Sequence, residues 1–381
     1  MSVSYEEAAA FHKKTCAVDV HVHPALKTFL FDKKLDKRYR TGGAWDPFAM
    51  RVDLPKTIEG GVNAFFSSVY LPEKKMIKDC WFLSVATLFI NKRVRSIVRD
   101  DPFDVTMKMI DRFEKGVDEA RINGKKVAEV AKSVSDFHRI VGENKIAVIH
   151  SIEGAHSLAG KIEHVQTLFD RGVALITLTH FYENELGPTV GGIPKNKKFL
   201  CCFKHEKEQA GELTPLGKDA VKMMFDLGII VDITHSPPET RRQVIAMSNK
   251  KRPVICTHVG IQKLNPVKYN VSDEEIRMIA DTGGGVGNIM MNYWLVGREE
   301  KNGIHYLVDI IKHIKNVGGI DSVVIGSDLD GLTDPPDDLK DISEMPKLTH
   351  ALMKAGFTEP ELEKILGLNA IRILEHGWGK Q

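Results

Sequence analysis

The side chains of this sequence that could carry out metal chemistry recur at one kind of position, at or just past the end of a short apolar, β-branched run. Imidazoles and carboxylates are ligands that zinc and related ions prefer in proteins. Because the runs alternate with helical patterns, their ends are expected to meet at one mouth of a parallel barrel. The pattern therefore predicts a metal centre. Its candidate members are His21, His23, Glu153, His180, His235, His258 and Asp328.

Two histidines two residues apart begin this set. In Asp19-Val20-His21-Val22-His23, alternate residues of an extended strand point the same way, so His21 and His23 could bind one cation. Glu153 follows the run IAVIHSI and could bridge a pair of ions, as carboxylates do in two-metal hydrolases. Each signal is weak alone, because two close histidines occur by chance and Glu153 before Gly154 could be a solvated or capping residue.

A second pair of histidines follows the runs IIVDIT and PVICT. His235 and His258 end successive predicted strands, where they could supply the nitrogen ligands of a second ion. For either histidine alone, a hydrogen-bonded core imidazole is an equally good interpretation. With His21, His23 and Glu153 the two make coincidence a poor explanation.

Two further side chains could act on the substrate. Asp328 ends the last predicted strand, where a carboxylate could contact a metal or take the proton of a metal-bound water. Asp330 is the structural alternative, because a turn residue before Gly331 is often an aspartate. His180 follows the run LITLT, and its imidazole could donate to the oxyanion of an attacked carbonyl. We therefore assign His180 to the substrate and not to the metal.

Eight apolar runs could form the strands that position these residues, and eight strands close a (β/α)8 barrel of the TIM type, an α/β fold. Helix boundaries lie between several runs. Thr214-Pro215 predicts a helix start and Gly228 its end, while Ser272 with Glu275 and Thr358 with Glu361 predict capping boxes. The glycines at 283–285 precede a strand and not a helix, so they predict a helix stop and not a phosphate loop. The predicted strands are 17–21, 62–70, 146–152, 174–179, 229–234, 253–257, 284–290 and 322–326.

Composition narrows the class of protein. We expect one domain over 1–381, with loop insertions near 26–52, 71–100 and 185–212, since 381 residues of 43% hydrophobic composition suit one decorated barrel. The 53 basic and 51 acidic residues are dispersed, which predicts neither a nucleic-acid nor a membrane partner. The run at 81–90 is far shorter than the ~20 residues of a spanning helix and predicts a buried or lid helix. Scattered cysteines and the absence of a secretory pattern at residue 1 favour the cytoplasm.

From Val18 almost to the C-terminus, the sequence resembles the renal, or membrane, dipeptidases of the metal-dependent amidohydrolase superfamily. The resemblance implies a (β/α) barrel with two zinc ions that hydrolyses dipeptides or related small amides, and it favours a homodimer. Other divalent ions remain open. The motifs that carry it are DLPKTIEGGVNAFFSSVY (53–70), SIEGAH (151–156), ITLTHFYEN (176–184), LTPLGKDAVKMMFDLGIIVDITHS (213–236), ICTHVG (255–260), NVSDEEIRMIADTGG (270–284), IGSDLDGL (325–332) and ILGLNAIRIL (365–374).

The resemblance also implies roles for individual residues. His21 and the residue two after it would bind the first metal, His235 and His258 the second, and Glu153 would bridge the two. Asp328 would then manage the proton, and His180 would contact the substrate.

At two positions the sequence departs from the family that it resembles. His23 stands where the family usually has aspartate, which makes the site more positive by about one charge and could shift metal preference. Tyr269 stands where the family places an arginine that holds the substrate's carboxylate, so the resemblance implies that Tyr269 contacts the substrate. A tyrosine can donate one hydrogen bond there but cannot supply the bidentate charge pairing of an arginine. Two alternatives to a dipeptidase therefore stay open. One is a lactone, cyclic amide or phosphoester hydrolase, and the other is a metal-binding protein without catalytic activity.

Overall fold

A computed structural model of the chain describes residues 3–42, 46–79, 92–190, 209–291, 303–331 and 333–379. Nine strands lie within these residues, and every pairing between them is parallel. They are β1 (Ala17–Val22), β2 (Val62–Tyr70), β3 (Ala128–Ala131), β4 (Ile146–Glu153), β5 (Val173–Thr177), β6 (Ile230–Asp232), β7 (Val254–Val259), β8 (Gly285–Asn288) and β9 (Val323–Ile325).

Eight of the strands close into a barrel, which confirms the predicted TIM-type fold. The order β1-β2-β4-β5-β6-β7-β8-β9 returns to β1, because Asp19 of β1 pairs with Ile325 of β9 and β2 pairs with β4. The eight predicted runs correspond to these eight strands. The ninth strand, β3, was not predicted, and it pairs with the N-terminal half of β4 alongside the barrel.

Helices follow most of the strands, and the predicted helix boundaries are confirmed. Thr214 caps its helix by accepting from the amide of Gly217, and Gly228 ends it with a φ of 83°. Both predicted capping boxes form, and Gly283 stops a helix with a φ of 74° before β8. The helices are α1 (Tyr5–Lys14), α2 (Pro24–Phe31), α3 (Leu54–Glu59), α4 (Lys74–Asp79), α5 (Lys92–Arg99), α6 (Pro102–Glu119), α7 (Val134–Gly142), α8 (Glu163–Asp170), α9 (Pro215–Leu227), α10 (Pro238–Ser248), α11 (Asp273–Asp281), α12 (Ile304–Gly318), α13 (Met345–Lys354), α14 (Glu359–Glu363) and α15 (Asn369–Gly377).

The last helix packs against the N-terminal halves of the strands. Ile373 and Leu374 of α15 share one apolar cluster with strand residues such as Ala64, Ala147 and Val324. Because this end of the barrel is filled with apolar side chains, the polar candidates are left at the opposite, C-terminal ends of the strands. The barrel therefore positions the site where the sequence predicts it.

Part of the expected loop insertions lies outside the described residues. This applies to the predicted helix at 81–90, to Cys80, Cys201 and Cys202, and to most of the segment 185–212. Within the described ranges, no helix has both the length and the apolar character needed to cross a membrane.

Candidate metal centre

All seven candidate side chains lie at the C-terminal mouth of the barrel. His21 belongs to β1, Glu153 is the last residue of β4 and His258 belongs to β7. The other four follow strand ends within three residues, and all seven are at most 6% exposed. The remaining four are His23 after β1, His180 after β5, His235 after β6 and Asp328 after β9.

Glu153 lies at the centre of the group. Its Oε1 is 3.3 Å from Nε2 of His21, 3.3 Å from Nε2 of His258 and 3.6 Å from Nε2 of His235. Its Oε2 is 3.4 Å from Nε2 of His23. Glu153 therefore belongs to two sets of three ligand atoms, and within each set the atoms lie within 4.8 Å of one another. One set also contains His21 and His23, and the other contains His235 and His258.

The directions of the lone pairs on the histidine ring nitrogens show whether these residues fit a cation. Nδ1 of His21 lies 3.1 Å from the hydroxyls of Ser68 and Thr257, which can accept its ring proton. The Nε2 lone pair then faces the site, where it meets Nε2 of His23 at 3.0 Å. Nε2 atoms of His235 and His258 approach to 3.2 Å in the same way. Lone pairs this close repel unless a cation or a shared proton lies between them, so the donors fit divalent metal ions.

Two of the candidates are held in an unusual backbone conformation. His235 has a φ of 66° and Asp328 a φ of 59°, in the left-handed region that non-glycine residues rarely adopt. Asp328 is fixed by a hydrogen bond from its amide to the carbonyl of His21, and the turn at His235 is held by a hydrogen bond from the amide of Val190 to the carbonyl of His235 at 3.0 Å. Such strain is concentrated at functional sites, where it fixes the direction of a side chain.

His180 is oriented by a glutamate that the sequence analysis missed. Nδ1 of His180 lies 3.0 Å from Oε1 of Glu73, and the same oxygen accepts from the amide of Phe181. The other oxygen of Glu73 accepts from the hydroxyl of Tyr70 at 2.6 Å. Nε2 of His180 is then free to face Glu153, whose Oε2 is 3.6 Å away.

The electrostatics favour the metal-binding forms of three of the five proposed ligands: Glu153, His235 and His258. Burial alone favours a neutral carboxyl, but the imidazoles of His180, His23 and His21 hold the pKa of Glu153 well below its usual value. Burial, followed by the charge of His180, lowers the pKa of His235 to about 4. Burial also lowers the pKa of His258 strongly, with His21 adding to the effect. An ionised carboxylate and neutral imidazoles are the forms in which Glu153, His235 and His258 bind metals. At His21, burial favours the neutral ring, but the charge of Glu153 outweighs it and raises the pKa.

Asp328 differs from Glu153 in this respect. Its Oδ1 lies 3.1 Å from Nε2 of His23. Burial raises the pKa of Asp328 above its usual value, although the hydrogen bond with His23 opposes the rise. A carboxylate that takes up a proton readily suits a proton carrier better than a permanent ligand.

Comparison with known proteins identifies the family of this chain. The family model described as membrane dipeptidase (peptidase family M19) matches residues 5–377. The chain belongs to this family. The resemblance found in the sequence is thereby confirmed, and family membership makes the chain a metal-dependent hydrolase of the dipeptidase type.

Similar proteins span the whole barrel. Dipeptidase tcpJ of Claviceps purpurea is 28% identical over 350 residues, which are 90% of this chain and 72% of that protein. The probable dipeptidase PvdM from Pseudomonas aeruginosa superposes with a TM-score of 0.78 at 20% identity, covering 98% of each chain. A metallopeptidase from Rhodobacter sphaeroides, liganded with a phosphinate mimic of L-Ala-D-Ala, gives 0.75 at 19% identity and covers 96% of this chain and 99% of that one. At these identities the structures show the shared fold.

Tyr269, one of the two departures from the dipeptidase pattern, lies against the second pair of histidines. Its hydroxyl donates to the carbonyl of His258 at 2.7 Å, and its ring centroid is 5.0 Å from that of His235. The side chain is 3% exposed, and burial raises the pKa of Tyr269 well above its usual value. Because the hydroxyl donates its proton to the carbonyl of His258, it has no proton left to donate to another group.

Several residues around the candidates carry less obvious sequence signals. Asp232 lies inside the apolar run IIVDIT, and a carboxylate in a buried strand indicates a bonded polar group. Glu73 follows Pro72 just after β2 and had no such signal.

Asp330 has the structural role that the sequence analysis gave as the alternative to a catalytic one, because its oxygens accept from the amides of Arg51 and Val52. His150 and His156 also have local partners, Glu114 and the carbonyl of Leu71.

Proposed function

We propose that this chain is a two-zinc hydrolase that cleaves the amide bond of dipeptides or dipeptide-like small molecules. The observation that carries the proposal is the convergence of four imidazoles and one carboxylate at the barrel mouth. The Nε2 atoms of His21, His23 and His258 all lie within 3.4 Å of the carboxylate of Glu153, in a chain of the membrane dipeptidase family.

In this proposal the ligands divide into two subsites. His21 and His23 would hold the first ion, His235 and His258 would hold the second, and Glu153 would be shared by the two subsites. Nitrogen and oxygen donors of this kind suit zinc, and manganese or another divalent ion is the alternative. When bound, such ions would supply Lewis-acid chemistry, which polarises a carbonyl and lowers the pKa of a bound water towards about 7.

The remaining residues handle the proton and the substrate. Asp328, 3.1 Å from His23, takes the proton of the attacking water and delivers it to the nitrogen of the leaving amine. Burial opposes the imidazolium form of His180, but the charges of Glu153 and Glu73 raise its pKa. As an imidazolium, His180 donates from Nδ1 to Glu73 and from Nε2 to the oxyanion that forms as the carbonyl is attacked. Both side chains are almost fully buried, which strengthens such interactions by excluding water.

The substrate's carboxylate is the point on which this chain differs from a typical dipeptidase. We propose that Tyr269 contacts the substrate near the second metal through its ring and its hydroxyl lone pairs. A free carboxylate would be repelled by those lone pairs and would gain no charge pairing. The arrangement favours a dipeptide-like substrate whose carboxylate is blocked or absent, and it leaves a lactone, cyclic amide or phosphoester as the second candidate.

A substrate panel tests the function. Protein loaded with zinc or manganese is incubated with L,L- and L,D-dipeptides, their C-terminal amides, a lactone and a phosphoester, and the products are separated by chromatography. We expect the metal-loaded protein to release amine product from at least one dipeptide or dipeptide amide, with the amides preferred. Glu153→Gln should release none. His138→Gln, at an exposed position far from the mouth, should match the wild type.

Other results would contradict the proposal. Hydrolysis of only the lactone or the phosphoester would establish the second candidate, and no hydrolysis despite bound metal would establish a metal-binding protein without catalytic activity.

We also propose a homodimer, because the family resemblance favours one. Light scattering on the eluted protein should give about twice the mass of one chain.

A further inference from the structure

Thr257 lies between the two proposed metal subsites. Its hydroxyl oxygen is 3.1 Å from Nδ1 of His21, a ligand of the first ion, and 2.8 Å from Nδ1 of His258, a ligand of the second. The same oxygen is 2.7 Å from Oδ2 of Asp232. We propose that the Thr257 hydroxyl positions one histidine of each subsite, so that it controls the affinity of both metal ions.

The directions of the three hydrogen bonds follow from the capacity of a hydroxyl, which has one proton and two lone pairs. Asp232 is a carboxylate, so the Thr257 proton goes to its Oδ2. The lone pairs then accept the Nδ1 protons of His21 and His258. Both rings are left with their Nε2 lone pairs facing the site, which is the tautomer that a metal requires.

Asp232 is itself held firmly in place. Its Oδ1 accepts from the amide and the hydroxyl of Thr234 and from the amide of Thr257, at 2.6 to 3.1 Å. Its Oδ2 also accepts from the hydroxyl of Thr177 at 2.7 Å. Five donors around one fully buried carboxylate fix both oxygens, so Asp232 can orient the Thr257 hydroxyl.

The backbone at Thr257 is adapted to this role. The pairing of β7 with β8 is irregular between Cys256 and Val259, and an irregularity of this kind re-aims side chains. As a result, Thr257 reaches the ring of its own neighbour, His258. The carbonyl of Thr257 occupies space that a side chain would need at Gly287 and Gly326, where an added Cβ would lie 1.9 and 1.7 Å from that oxygen. Only glycine at these two positions allows the approach.

Ser68 provides a matched comparison, because it contacts one of the two histidines. Its hydroxyl lies 3.1 Å from Nδ1 of His21 and 2.9 Å from the hydroxyl of Ser151, and both serines are fully buried. Loss of the Ser68 hydroxyl should therefore weaken only the first subsite. Loss of the Thr257 hydroxyl should weaken both, and the second more, because Ser68 still supports His21.

The experiment measures zinc affinity by stepwise competition with a chromophoric chelator, on full-length wild type, Thr257→Val, Thr257→Ser and Ser68→Ala. Mutation of a residue that orients a ligand typically reduces metal affinity by about 10- to 100-fold. In Thr257→Val we expect both zinc dissociation constants to rise, and that of the more weakly bound ion to rise by at least about tenfold. In Ser68→Ala we expect one of the two dissociation constants to stay at its wild-type value. Thr257→Ser should restore most of the affinity, because it keeps the hydroxyl.

The result that would overturn the inference is a Thr257→Val protein with both constants unchanged, or with the same single change as Ser68→Ala. Thermal unfolding of each metal-free protein shows that it is folded, and Thr257→Ala carries the same comparison if valine does not fit. The inference rests on the proposed function, but the two fail differently. A wild type that binds fewer than two ions contradicts the two-zinc proposal, whereas two ions bound without dependence on Thr257 contradict only the inference.

Discussion

Replacement of Glu73 by glutamine should weaken the hydrogen bond that orients His180 and leave the His180 side chain itself in place. Glu73 accepts from His180, Phe181 and Tyr70, and its carboxylate is 6% exposed. Burial favours the neutral acid, but the charge of His180 outweighs it and lowers the pKa of Glu73 to about 2, so the group is an anion at neutral pH. Glutamine keeps the shape and one accepting oxygen but loses the charge.

The magnitude follows from the type of hydrogen bond. A bond to a charged group contributes about 1.5–3 kcal/mol and a neutral one about 0.5–1.5 kcal/mol, so the His180 contact should weaken by roughly 1–1.5 kcal/mol. If that orientation acts in the transition state, kcat/KM should fall about 5- to 13-fold, mainly through kcat. Tyr70→Phe is the matched control. It removes a donor from the other oxygen of Glu73 and leaves the His180 contact in place, so kcat/KM should change less than about twofold.

The assay is steady-state kinetics on the best substrate of the panel, with metal content measured for each variant. Glu73→Gln should have no further effect when His180 is already replaced by asparagine, because the two side chains act through one contact. The reasoning would be refuted by an unchanged kcat in Glu73→Gln, by an equal loss in Tyr70→Phe, or by additive losses in the double variant.

Three further outcomes are expected. Asp328→Asn should keep its metals but lose about 100- to 10,000-fold in kcat, because an amide cannot carry the proton; near-normal turnover would exclude that role. Burial lowers the pKa of His12 from its usual 6.5 to about 4. As pH falls, the unfolded chain therefore binds a proton before the folded protein does, and the free energy of unfolding decreases below about pH 6.5. The free energy of unfolding should drop by about 2 kcal/mol more between pH 7 and pH 5 than in His12→Gln, as measured in urea. Arg241→Lys should destabilise the protein by about 2–4 kcal/mol, because the fully buried guanidinium bonds Glu275 and the carbonyl of Tyr269; a loss under 1 kcal/mol would contradict this.

The sequence was sufficient for the barrel, because all eight strands contain short apolar runs and six of them carry a candidate site residue at or just past the end. It was insufficient for β3, whose four residues include the half-exposed Glu129 and pair with a single neighbour. His23 also differs slightly from expectation. It lies one residue past β1, at the start of α2, and still reaches Nε2 of His21. Periodicity locates elements within a residue or two, and a short edge strand has too little pattern to locate.

The candidate ligands could be predicted, but their supporting residues could not. Glu73 lies 107 residues from His180 in sequence. Thr257 is next to His258 but lies 236 residues from His21, so the sequence does not show that its hydroxyl reaches both. Their hydroxyl and carboxylate groups are common throughout the chain, so nothing local marks them. The hydroxyl of Tyr269 was expected to face a substrate, but its partner, the carbonyl of His258, is a backbone atom that no residue pattern indicates.

The central claim is a pair of zinc ions bridged by Glu153. Crystals grown with zinc, measured on both sides of the zinc absorption edge, test it most directly, since the anomalous signal locates each ion and identifies the element. We predict two peaks about 3.5–4 Å apart, one beside His21 and His23 and one beside His235 and His258. A single peak, or two peaks that do not share the carboxylate of Glu153, would contradict the account.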